Sequence, residues 1–357
     1  MMENKYTTSK YNYFIDYKNR KLLFNGITGS GFHMNEQEYS QLLPLLENTD
    51  DFAKNYPDDF KRLVKMGYII ESDFDEFAYM KFKNRQMAFQ DKSYRLTINP
   101  TLDCNFNCWY CYEEHPKGYM NKATITKIKR HIKYMIEQER ITSLLLDWFG
   151  GEPLLYFYEV MYPIAMYAKN LCKKHKIPYS SHMTTNAYCI DEKMIFYLEK
   201  IQNNWFQITL DGDREKHNKI RNEKGNPSYD IIINNINRLC EKIDNVYIIL
   251  RINYDNKTLQ SENIYSILDD IKKENRKKIT INTQRVWQTY NKREKNEKNQ
   301  NVIDFIDAAK ENGFKMADSG GGIAIGRFCT CYVSKFYHTE INYDGKIYKC
   351  TARTITK

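Results

Sequence analysis

The chain has 357 residues, a length that corresponds to two or three domains. Hydrophobic residues make up 42% of it and charged residues 28%, which excludes a disordered protein and is typical of a globular one. The formal net charge of +9 suits nucleic acid, an acidic peptide or an acidic electron-donor protein. The basic runs mix both signs of charge and lack interleaved aromatic residues, so we do not expect a nucleic-acid partner.

Apolar patterning and cysteine usage bear on the compartment. The N-terminal residues lack an apolar core of signal-peptide length, and no apolar run reaches the length of a membrane span. We therefore expect a cytoplasmic protein without a membrane partner. The nine cysteines should stay reduced there, so clustered cysteines indicate metal binding before disulfides.

Residues 1–90 are predicted to form a small N-terminal α+β binding module. Short strands are expected at Tyr11–Asp16 and Lys21–Asn25. A helix should begin at Asn35, with an interruption or kink at Pro44. Residues Phe60–Ile70 read as a helix that ends at Gly67, followed by a strand. We find no catalytic chemistry in this part.

Residues 91–298 alternate six strand-like with five helix-like segments. The expected strands are Tyr94–Asn99, Ser143–Phe149, Tyr179–Thr185, Trp205–Leu210, Val246–Asn253 and Lys278–Val286. The expected helices are Lys122–Gln138, Tyr156–Lys174, Asp191–Lys200, Tyr229–Lys242 and Ser261–Lys273. This alternation predicts an α/β fold with a parallel sheet, and the length favours a partial (βα)6 TIM-like barrel over a full eight-unit one. The active site should lie at the carboxyl ends of the strands.

Residues 299–357 are predicted to form a C-terminal extension that contains cysteines. A helix over Asn301–Asn312 and a glycine-rich turn at Ser319–Gly322 come first. A hairpin with its turn at Asp344–Gly345 follows. The cysteines of this part are Cys329, Cys331 and Cys350.

The cysteine-rich segment Thr101–Glu114, TLDCNFNCWYCYEE, carries the main chemical signal. Cys104, Cys108 and Cys111 have CxxxCxxC spacing directly after a predicted strand, so one loop can wrap one metal centre. Structural zinc normally needs four protein ligands, and His115, followed by a proline, reads as a loop residue. A four-iron cubane held by three thiolates would keep one iron open for an external ligand. The alternatives are a zinc knuckle and three incidental loop cysteines.

This segment resembles the signature of the radical S-adenosylmethionine (SAM) superfamily, including an aromatic residue, Tyr110, before the last cysteine. The resemblance implies a [4Fe-4S] cluster on Cys104, Cys108 and Cys111, with the amino and carboxylate groups of SAM on the open iron. It also implies reductive cleavage of SAM to a 5′-deoxyadenosyl radical that abstracts hydrogen from the substrate. Tyr110 is accordingly expected near the cofactor.

A glycine pair and a glutamate follow the second predicted strand, in the stretch LDWFGGEPLLY. Glycines at a strand end let the backbone approach a ligand closely, and a carboxylate can meet an ammonium group. The stretch is similar to the family's GGE motif, which implies that Gly150, Gly151 and Glu152 receive the amino group of SAM. A plain turn is the alternative.

The ends of the third and fourth predicted strands carry two further stretches similar to the family's. MTTNA is similar to a T-N-G stretch near SAM, with Ala187 in place of the glycine, and makes Thr185 and Asn186 candidates. FQITLDGDREKHNKIR is similar to a Q-x-S-x-D-G stretch with a later H-x-x-x-R, which implies that Thr209 and Arg221 hold the carboxylate or ribose of SAM. The alternatives are a plain turn at Asp211–Gly212 and a surface ion pair for Arg221.

Arg251 lies inside the apolar fifth strand, where an arginine needs a partner. Two interpretations stay open: it faces SAM, or it forms an ion pair in the core.

The C-terminal pattern C-x13-G-x4-C, formed by Cys331, Gly345 and Cys350, resembles the opening of the SPASM or twitch extension of peptide-modifying radical SAM enzymes. That extension carries one or two auxiliary iron–sulfur clusters. Here its further cysteines are missing before Lys357, so Cys329, Cys331 and Cys350 supply at most three local ligands to an auxiliary cluster. Two interpretations stay open: a truncated extension, and a hairpin with incidental cysteines.

The combined reading is a radical SAM maturase that modifies a ribosomally synthesised peptide. The alternatives are an anaerobic sulfatase-maturing enzyme that forms formylglycine, and a non-catalytic iron–sulfur or peptide-binding protein. The expected partners are a peptide or protein substrate and a reducing electron donor of the flavodoxin or ferredoxin type. The catalytic base and the bond made are not specified by the sequence.

Overall fold

The computed structural model describes residues 5–17, 19–89, 92–255, 262–286, 300–317 and 331–351. The chain divides into two compact units, residues 1–90 with 322–336, and residues 91–321 with 337–357. Cys329 of the predicted extension lies outside the described residues. Within the described ranges, no helix is long and apolar enough to cross a membrane.

The first unit combines short strands with four helices. Its strands are β1 (Tyr6–Thr8), β2 (Asn12–Tyr17), β3 (Arg20–Asn25), β4 (Gly31–Met34) and β5 (Ile69–Glu71). Its helices are α1 (Glu36–Glu47), α2 (Thr49–Asn55), α3 (Pro57–Met66) and α4 (Glu76–Phe89). The order β2-β3-β4 forms an antiparallel sheet, and β1 pairs antiparallel with β5.

Local signals explain the start and the end of the helices in this unit. Asn35 accepts from the backbone N–H of Glu38, whose side chain accepts from the N–H of Asn35, so a capping box begins α1. Pro44 lies inside α1 without ending it. Gly67, with φ +81°, ends α3 in the left-handed conformation that glycine adopts readily.

Four elements of this unit are absent from the sequence prediction: β1, β4, α2 and α4. The four residues of β4 give too short an alternation to register as a strand. In α4, large apolar side chains such as Phe77 and Phe82 are exposed, so the helix lacks the one-sided period that identifies helices in sequence.

The second unit is a partial TIM-like barrel with helices outside a mostly parallel sheet. Its strands are β6 (Ser93–Ile98), β7 (Ser143–Trp148), β8 (Tyr179–Thr185), β9 (Asn203–Leu210), β10 (Asn222–Glu223), β11 (Asn226–Pro227), β12 (Tyr247–Tyr254), β13 (Ile279–Arg285), β14 (Lys315–Met316), β15 (His338–Ile341) and β16 (Ile347–Tyr348). Its helices are α5 (Lys122–Glu137), α6 (Tyr162–His175), α7 (Glu192–Lys200), α8 (Arg214–Ile220), α9 (Tyr229–Lys242), α10 (Ser266–Asp270) and α11 (Gln300–Glu311). The main sheet has the order β14-β13-β12-β9-β8-β7-β6-β15-β16.

The strands of this sheet separate an apolar outer layer from a polar interior. Leu96 and Ile98 of β6 belong to the hydrophobic core that the helices complete. The alternate residue Arg95 donates from Nε to Asp147 of β7 at 3.0 Å. Because side chains alternate along a strand, each strand faces the helices with one set and the interior with the other.

All six predicted barrel strands are present. The prediction and the structure differ in one helix and in the place of the C-terminal hairpin. The predicted helix Ser261–Lys273 is wrong: the structure has the five-residue α10 between 3₁₀ turns at Glu262–Tyr265 and Lys273–Lys278. Arg276 is buried there, and its Nε donates to the carbonyl of Ile271, which satisfies backbone outside a helix. The C-terminal hairpin adds to the main sheet, because β15 pairs in parallel with the exposed edge of β6.

Candidate cofactor site

A cavity of about 220 Å³ lies where the barrel strands end. The structure brings ten of the predicted site residues around it. They are Cys104, Cys108, Tyr110, Cys111, Gly150, Gly151, Thr185, Asn186, Thr209 and Arg221. Glu152 does not line the cavity, and neither Cys331 nor Cys350 is among its lining residues.

The three loop cysteines offer a thiol-only donor set. Cys111 donates its backbone N–H to the carbonyl of Cys108 at 2.9 Å, and the N–H of Phe106 donates to Cys104 Sγ at 3.4 Å. Burial raises the pKa of all three thiols, that of Cys104 to about 12, while the nearby Arg221 guanidinium opposes the rise. A metal that displaces the protons would remove this penalty, so the donor set fits a thiolate-bound iron–sulfur cluster.

The glycine pair fits against the cysteine loop. A Cβ on Gly150, whose φ is +106°, would lie 2.3 Å from the carbonyl oxygen of Thr101, and a Cβ on Gly151 would lie 2.3 Å from the carbonyl oxygens of Leu102 and Asp103. Both approaches are too close for any side chain. The sequence predicts that these glycines let a ligand approach; in the structure the segment that approaches them is the backbone before Cys104.

Glu152 is completely buried and is engaged by the protein itself. Its Oε1 accepts from the N–H of Leu154 at 3.0 Å and from Thr185 Oγ1 at 2.7 Å, and its Oε2 accepts from the N–H of Asn186 at 2.7 Å. Burial raises the pKa of this carboxyl to about 6, although these hydrogen bonds favour the charged form. Glu152 thus joins the ends of β7 and β8.

Thr185 and Asn186 have hydrogen bonds on both sides of this junction. Besides binding Glu152, Thr185 Oγ1 accepts from the N–H of Ala187 at 2.9 Å. Asn186 Nδ2 donates to Asn105 Oδ1, in the cysteine loop, at 2.7 Å. The end of β8 therefore holds the cysteine loop from a second direction.

Tyr110 is the centre of a set of hydrogen bonds that we call the Tyr110 network, which contains Tyr110, Asp211, Arg221 and Asn253. The Tyr110 hydroxyl donates to the Asp211 carboxylate, with oxygen distances of 2.6 and 2.7 Å. It accepts from Arg221 Nη2 at 2.7 Å and from Asn253 Nδ2 at 3.1 Å. Arg221 Nε also donates to Asp211 in a short ion pair. The network connects the cysteine loop to the ends of β9 and β12.

His217 contacts the Tyr110 network through the backbone of Asp211 and, by way of Ser228, through the backbone of Arg221. Its Nδ1 accepts from the N–H of Asp211 at 3.2 Å, so the ring proton is on Nε2, 3.0 Å from Ser228 Oγ. Ser228 Oγ donates to the carbonyl of Arg221 at 2.7 Å. The H-x-x-x-R spacing therefore places a neutral histidine where it orients both the aspartate and the arginine.

Sequence reasoning underestimated three residues of this site. Asp211 reads as part of a turn, but it is the counter-ion of Arg221, whose side chain is only 11% exposed. Asn253 and Arg251 follow at alternate positions of β12, and both line the cavity. The sequence signal that could have identified them is the alternation of polar residues at the carboxyl ends of β9 and β12. This alternation places Thr209, Asp211, Arg251 and Asn253 on the interior face.

Residues 98–258 match the sequence model of the Radical SAM superfamily. The matched part holds the cysteine loop and the barrel strands β7 to β12, and the match identifies it as a radical SAM domain, a family that uses a [4Fe-4S] cluster and SAM. A comparison with curated protein sequences gave no significant match.

Solved structures with this fold include two of the anaerobic sulfatase-maturing enzyme anSMEcpe. Its complex with SAM has 19% identity and a TM-score of 0.55, covering 73% of this chain and 75% of that chain. Its complex with SAM and Cp18Cys peptide has 20% identity and a TM-score of 0.53, covering 73% and 74%. Streptococcus suis SuiB bound to SAM has 16% identity and a TM-score of 0.50, covering 99% and 84%. At these identities the likeness concerns the fold.

Proposed function

We propose that this radical SAM enzyme modifies a ribosomally synthesised peptide, forming a cross-link, thioether or epimer after hydrogen abstraction. The observation that carries the proposal is a groove of about 730 Å³ in the first unit, between β4, α1 and α3. In the described residues β4 pairs only with β3, so its other backbone edge is open. An extended peptide can add to such an edge as a further strand.

The lining of the groove suits a peptide with mixed side chains. The apolar residues that line it are buried or partly buried, and the charged ones are exposed. The apolar ones include Phe32, Met34, Leu42, Leu45, Leu63 and Met66, and the charged ones are Glu38, Asp59 and Arg62. Backbone pairing would give affinity without sequence preference, while these side chains would select residues of the peptide.

In this proposal each part of the cofactor cavity has a role. Cys104, Cys108 and Cys111 hold the cluster, which when bound supplies the electron that cleaves SAM to the 5′-deoxyadenosyl radical. Glu152 and the Tyr110 network hold the loop and the strand ends in register around it.

The reductant is proposed to be an acidic flavodoxin or ferredoxin. The net charge of +9 supports this choice, because opposite charges accelerate the encounter of two proteins.

The experiment uses anaerobically reconstituted protein with peptides encoded next to its gene. We expect 5′-deoxyadenosine and a peptide of altered mass, and neither product from the variant in which Cys104, Cys108 and Cys111 are all alanine. A formylglycine on a sulfatase-derived peptide would instead support sulfatase maturation. Absence of 5′-deoxyadenosine from the fully iron-loaded protein would support a non-catalytic binding protein.

The groove is tested separately by charge reversal on α3. Arg62 lines the groove, so Arg62→Glu should weaken binding of the substrate peptide. It should leave SAM cleavage in the absence of peptide unchanged. Lys61→Glu is the matched control, because Lys61 is exposed on the same helix outside the groove. Equal peptide affinity of both variants would contradict docking at this groove.

A further inference from the structure

Helix α4 of the first unit carries an exposed stripe, which we define as Ala78, Phe82, Arg85 and Phe89. All four residues are exposed, and their spacing of four, three and four residues places them along one side of the helix. This is the spacing at which one helix packs against another. Phe82 and Phe89 are each 60% exposed, so an apolar surface of the kind that marks interaction sites faces solvent here.

A depression of about 470 Å³, which we call the acidic depression, lies at the N-terminal half of the same helix. It is lined by the apolar or aromatic residues Phe74, Ala78, Tyr79 and Phe82 and by the acidic residues Glu71, Asp73 and Asp75. In the described parts of the chain none of these three carboxylates forms an ion pair. Asp75 Oδ1 accepts from the N–H of Ala78 at 2.9 Å, so this carboxylate also begins α4. The acidic depression thus combines an apolar surface with uncompensated negative charge.

The C-terminal half of α4 has the complementary character. Arg85 is exposed and pairs with no carboxylate of the described residues. Phe89 follows one turn later, and Phe336, whose ring centroid is 5.4 Å from that of Phe89, extends the apolar surface. One half of the helix therefore presents aromatic side chains beside a cation, and the other half presents apolar surface beside carboxylates.

Complementary halves of one helix fit a second copy of the same chain. In a two-fold symmetric pair both copies contribute the same surface, so antiparallel helices bring the C-terminal half of each α4 to the N-terminal half of the other. With the two-fold axis at the level of Met80, Phe82 of one copy lies opposite Ala78 of the other, and Arg85 lies opposite Asp75. A large side chain then packs on a small one, and a cation meets a carboxylate, twice in each pair.

We propose that the chain forms a homodimer through antiparallel α4 helices, with Arg85 of each copy at the acidic depression of the other. The proposal is independent of the proposed peptide modification, because it uses no residue of the cofactor cavity or of the peptide groove.

The exposed area indicates the strength of this dimer. Phe74, Phe82, Phe89 and Phe336 together expose about the area of two whole phenylalanine side chains, roughly 300–500 Å² per copy. Two copies would bury about 600–1,000 Å² from these rings alone, against about 1,200–2,000 Å² in a standard interface. Charged contacts at the edge must supply the rest, so we expect a dissociation constant in the micromolar range.

Sedimentation velocity of the iron-loaded protein, at concentrations from about 1 to 100 µM, measures the dimer. Wild type should pass from monomer to dimer as its concentration rises, and added salt should weaken the dimer because it screens the charged contacts. Arg85→Glu should weaken it roughly tenfold or more, since like charges then face each other. Lys61→Glu is the matched control, because it makes the same charge change at an exposed site on α3 and should leave the dimer intact.

A charge exchange between copies identifies the contact itself. The double variant Glu71→Lys with Asp73→Lys should be monomeric alone, because its depression then repels Arg85 of a second copy. Mixed with Arg85→Glu, it should form a heterodimer, since both contacts of the mixed pair join opposite charges. These variants change exposed side chains, so their unfolding curves at monomeric concentration should match that of wild type.

Three results would each overturn the proposal. They are a wild type that stays monomeric over the whole concentration range, a dimer that Arg85→Glu leaves intact, and a mixture of the two charge variants that stays monomeric although both are folded. Binding of a lysine-rich peptide at the acidic depression of a monomeric wild type would assign this surface to another occupant.

Discussion

At the scale of single residues, the carboxylate of Glu152 shows how a motif residue can serve the fold. Three donors from two strand ends converge on it, and it has no exposed surface. A buried acceptor of this kind stabilises the folded state mainly because its removal leaves the donors without partners.

Glu152→Ala should therefore lower the free energy of unfolding by roughly 2–4 kcal/mol and reduce iron incorporation as well. Denaturant unfolding of the ligand-free protein and an iron assay measure these effects. Glu159→Ala, an exposed change on the following turn, is the control and should be close to neutral. Full stability and full iron with weakened SAM affinity would instead support the sequence-based role of Glu152 as a partner of the SAM amino group.

His217 gives the site a dependence on pH. Burial, together with the nearby positive charge of Arg221, lowers the pKa of this imidazole to about 3. The unfolded chain binds a proton near pH 6.5, so between pH 6.5 and 3 the folded protein binds fewer protons than the unfolded one. The contribution of His217 to stability is thus complete above pH 6.5 and falls as the pH falls.

We expect the free energy of unfolding to decline on acidification below pH 6.5, with His217 contributing at most about 1.4 kcal/mol per pH unit. His217→Gln should be less stable than wild type at pH 7 and should show a shallower decline. His175→Gln, at a partly exposed histidine, should keep the wild-type decline. Parallel pH curves for wild type and His217→Gln would refute this account.

At the scale of elements, the loop after β7 and the loop after β6 pack backbone to backbone at the glycine pair. Two backbone hydrogen bonds join the loops. The N–H of Gly151 donates to the carbonyl of Thr101 at 3.2 Å, and the N–H of Glu152 donates to the carbonyl of Asp103 at 2.9 Å. The position of the cysteine loop is therefore set by its neighbour as well as by its own sequence.

Gly150→Ala tests this packing, and Gly225→Ala is its matched control. Both glycines have positive φ, +106° and +90°, but a Cβ meets Thr101 only at Gly150 and meets nothing within 4 Å at Gly225. We expect roughly 3–5 kcal/mol of destabilisation and a loss of iron binding for Gly150→Ala, against about 1 kcal/mol and full iron for Gly225→Ala. Similar unfolding curves for the two variants would show that the two loops can move apart without loss of stability.

The barrel elements were predictable because their outer face is apolar at every second position, as in Leu96 and Ile98 of β6. The cysteine loop was predictable from spacing alone. The Tyr110 network was not, because its members lie on three segments up to 143 residues apart and only the fold brings them together. The place of β15 in the barrel sheet was missed for the same reason, since nothing local marks β6 as its partner.

At the scale of the whole molecule, the auxiliary cluster stays a prediction. Cys331 is exposed and Cys350 is partly buried, and each belongs to a different compact unit.

Iron and sulfide counts on anaerobically reconstituted protein decide this question. If an auxiliary cluster forms, the protein should bind more iron than the four of one cubane, and Cys350→Ala should remove the excess while SAM cleavage at the loop cluster persists. Cys240→Ala, at a buried cysteine on α9, is the control for loss of a thiol without loss of a ligand. Four irons in both wild type and Cys350→Ala would make the C-terminal cysteines structural.

The pairing of β15 with β6 also has a consequence for synthesis on the ribosome. Asn99 of the first barrel segment donates to Glu340 at 2.9 Å across 241 residues of chain. This edge of β6 therefore has no partner strand until residues 338–341 have left the ribosomal exit tunnel. Translation proceeds at about 5–20 residues per second. During that interval of roughly 10–50 s, the nascent barrel exposes an open strand edge beside reduced cysteines. Iron delivered earlier would meet a cysteine loop whose neighbouring sheet is still incomplete, so we expect cluster insertion to follow the pairing of β15 with β6.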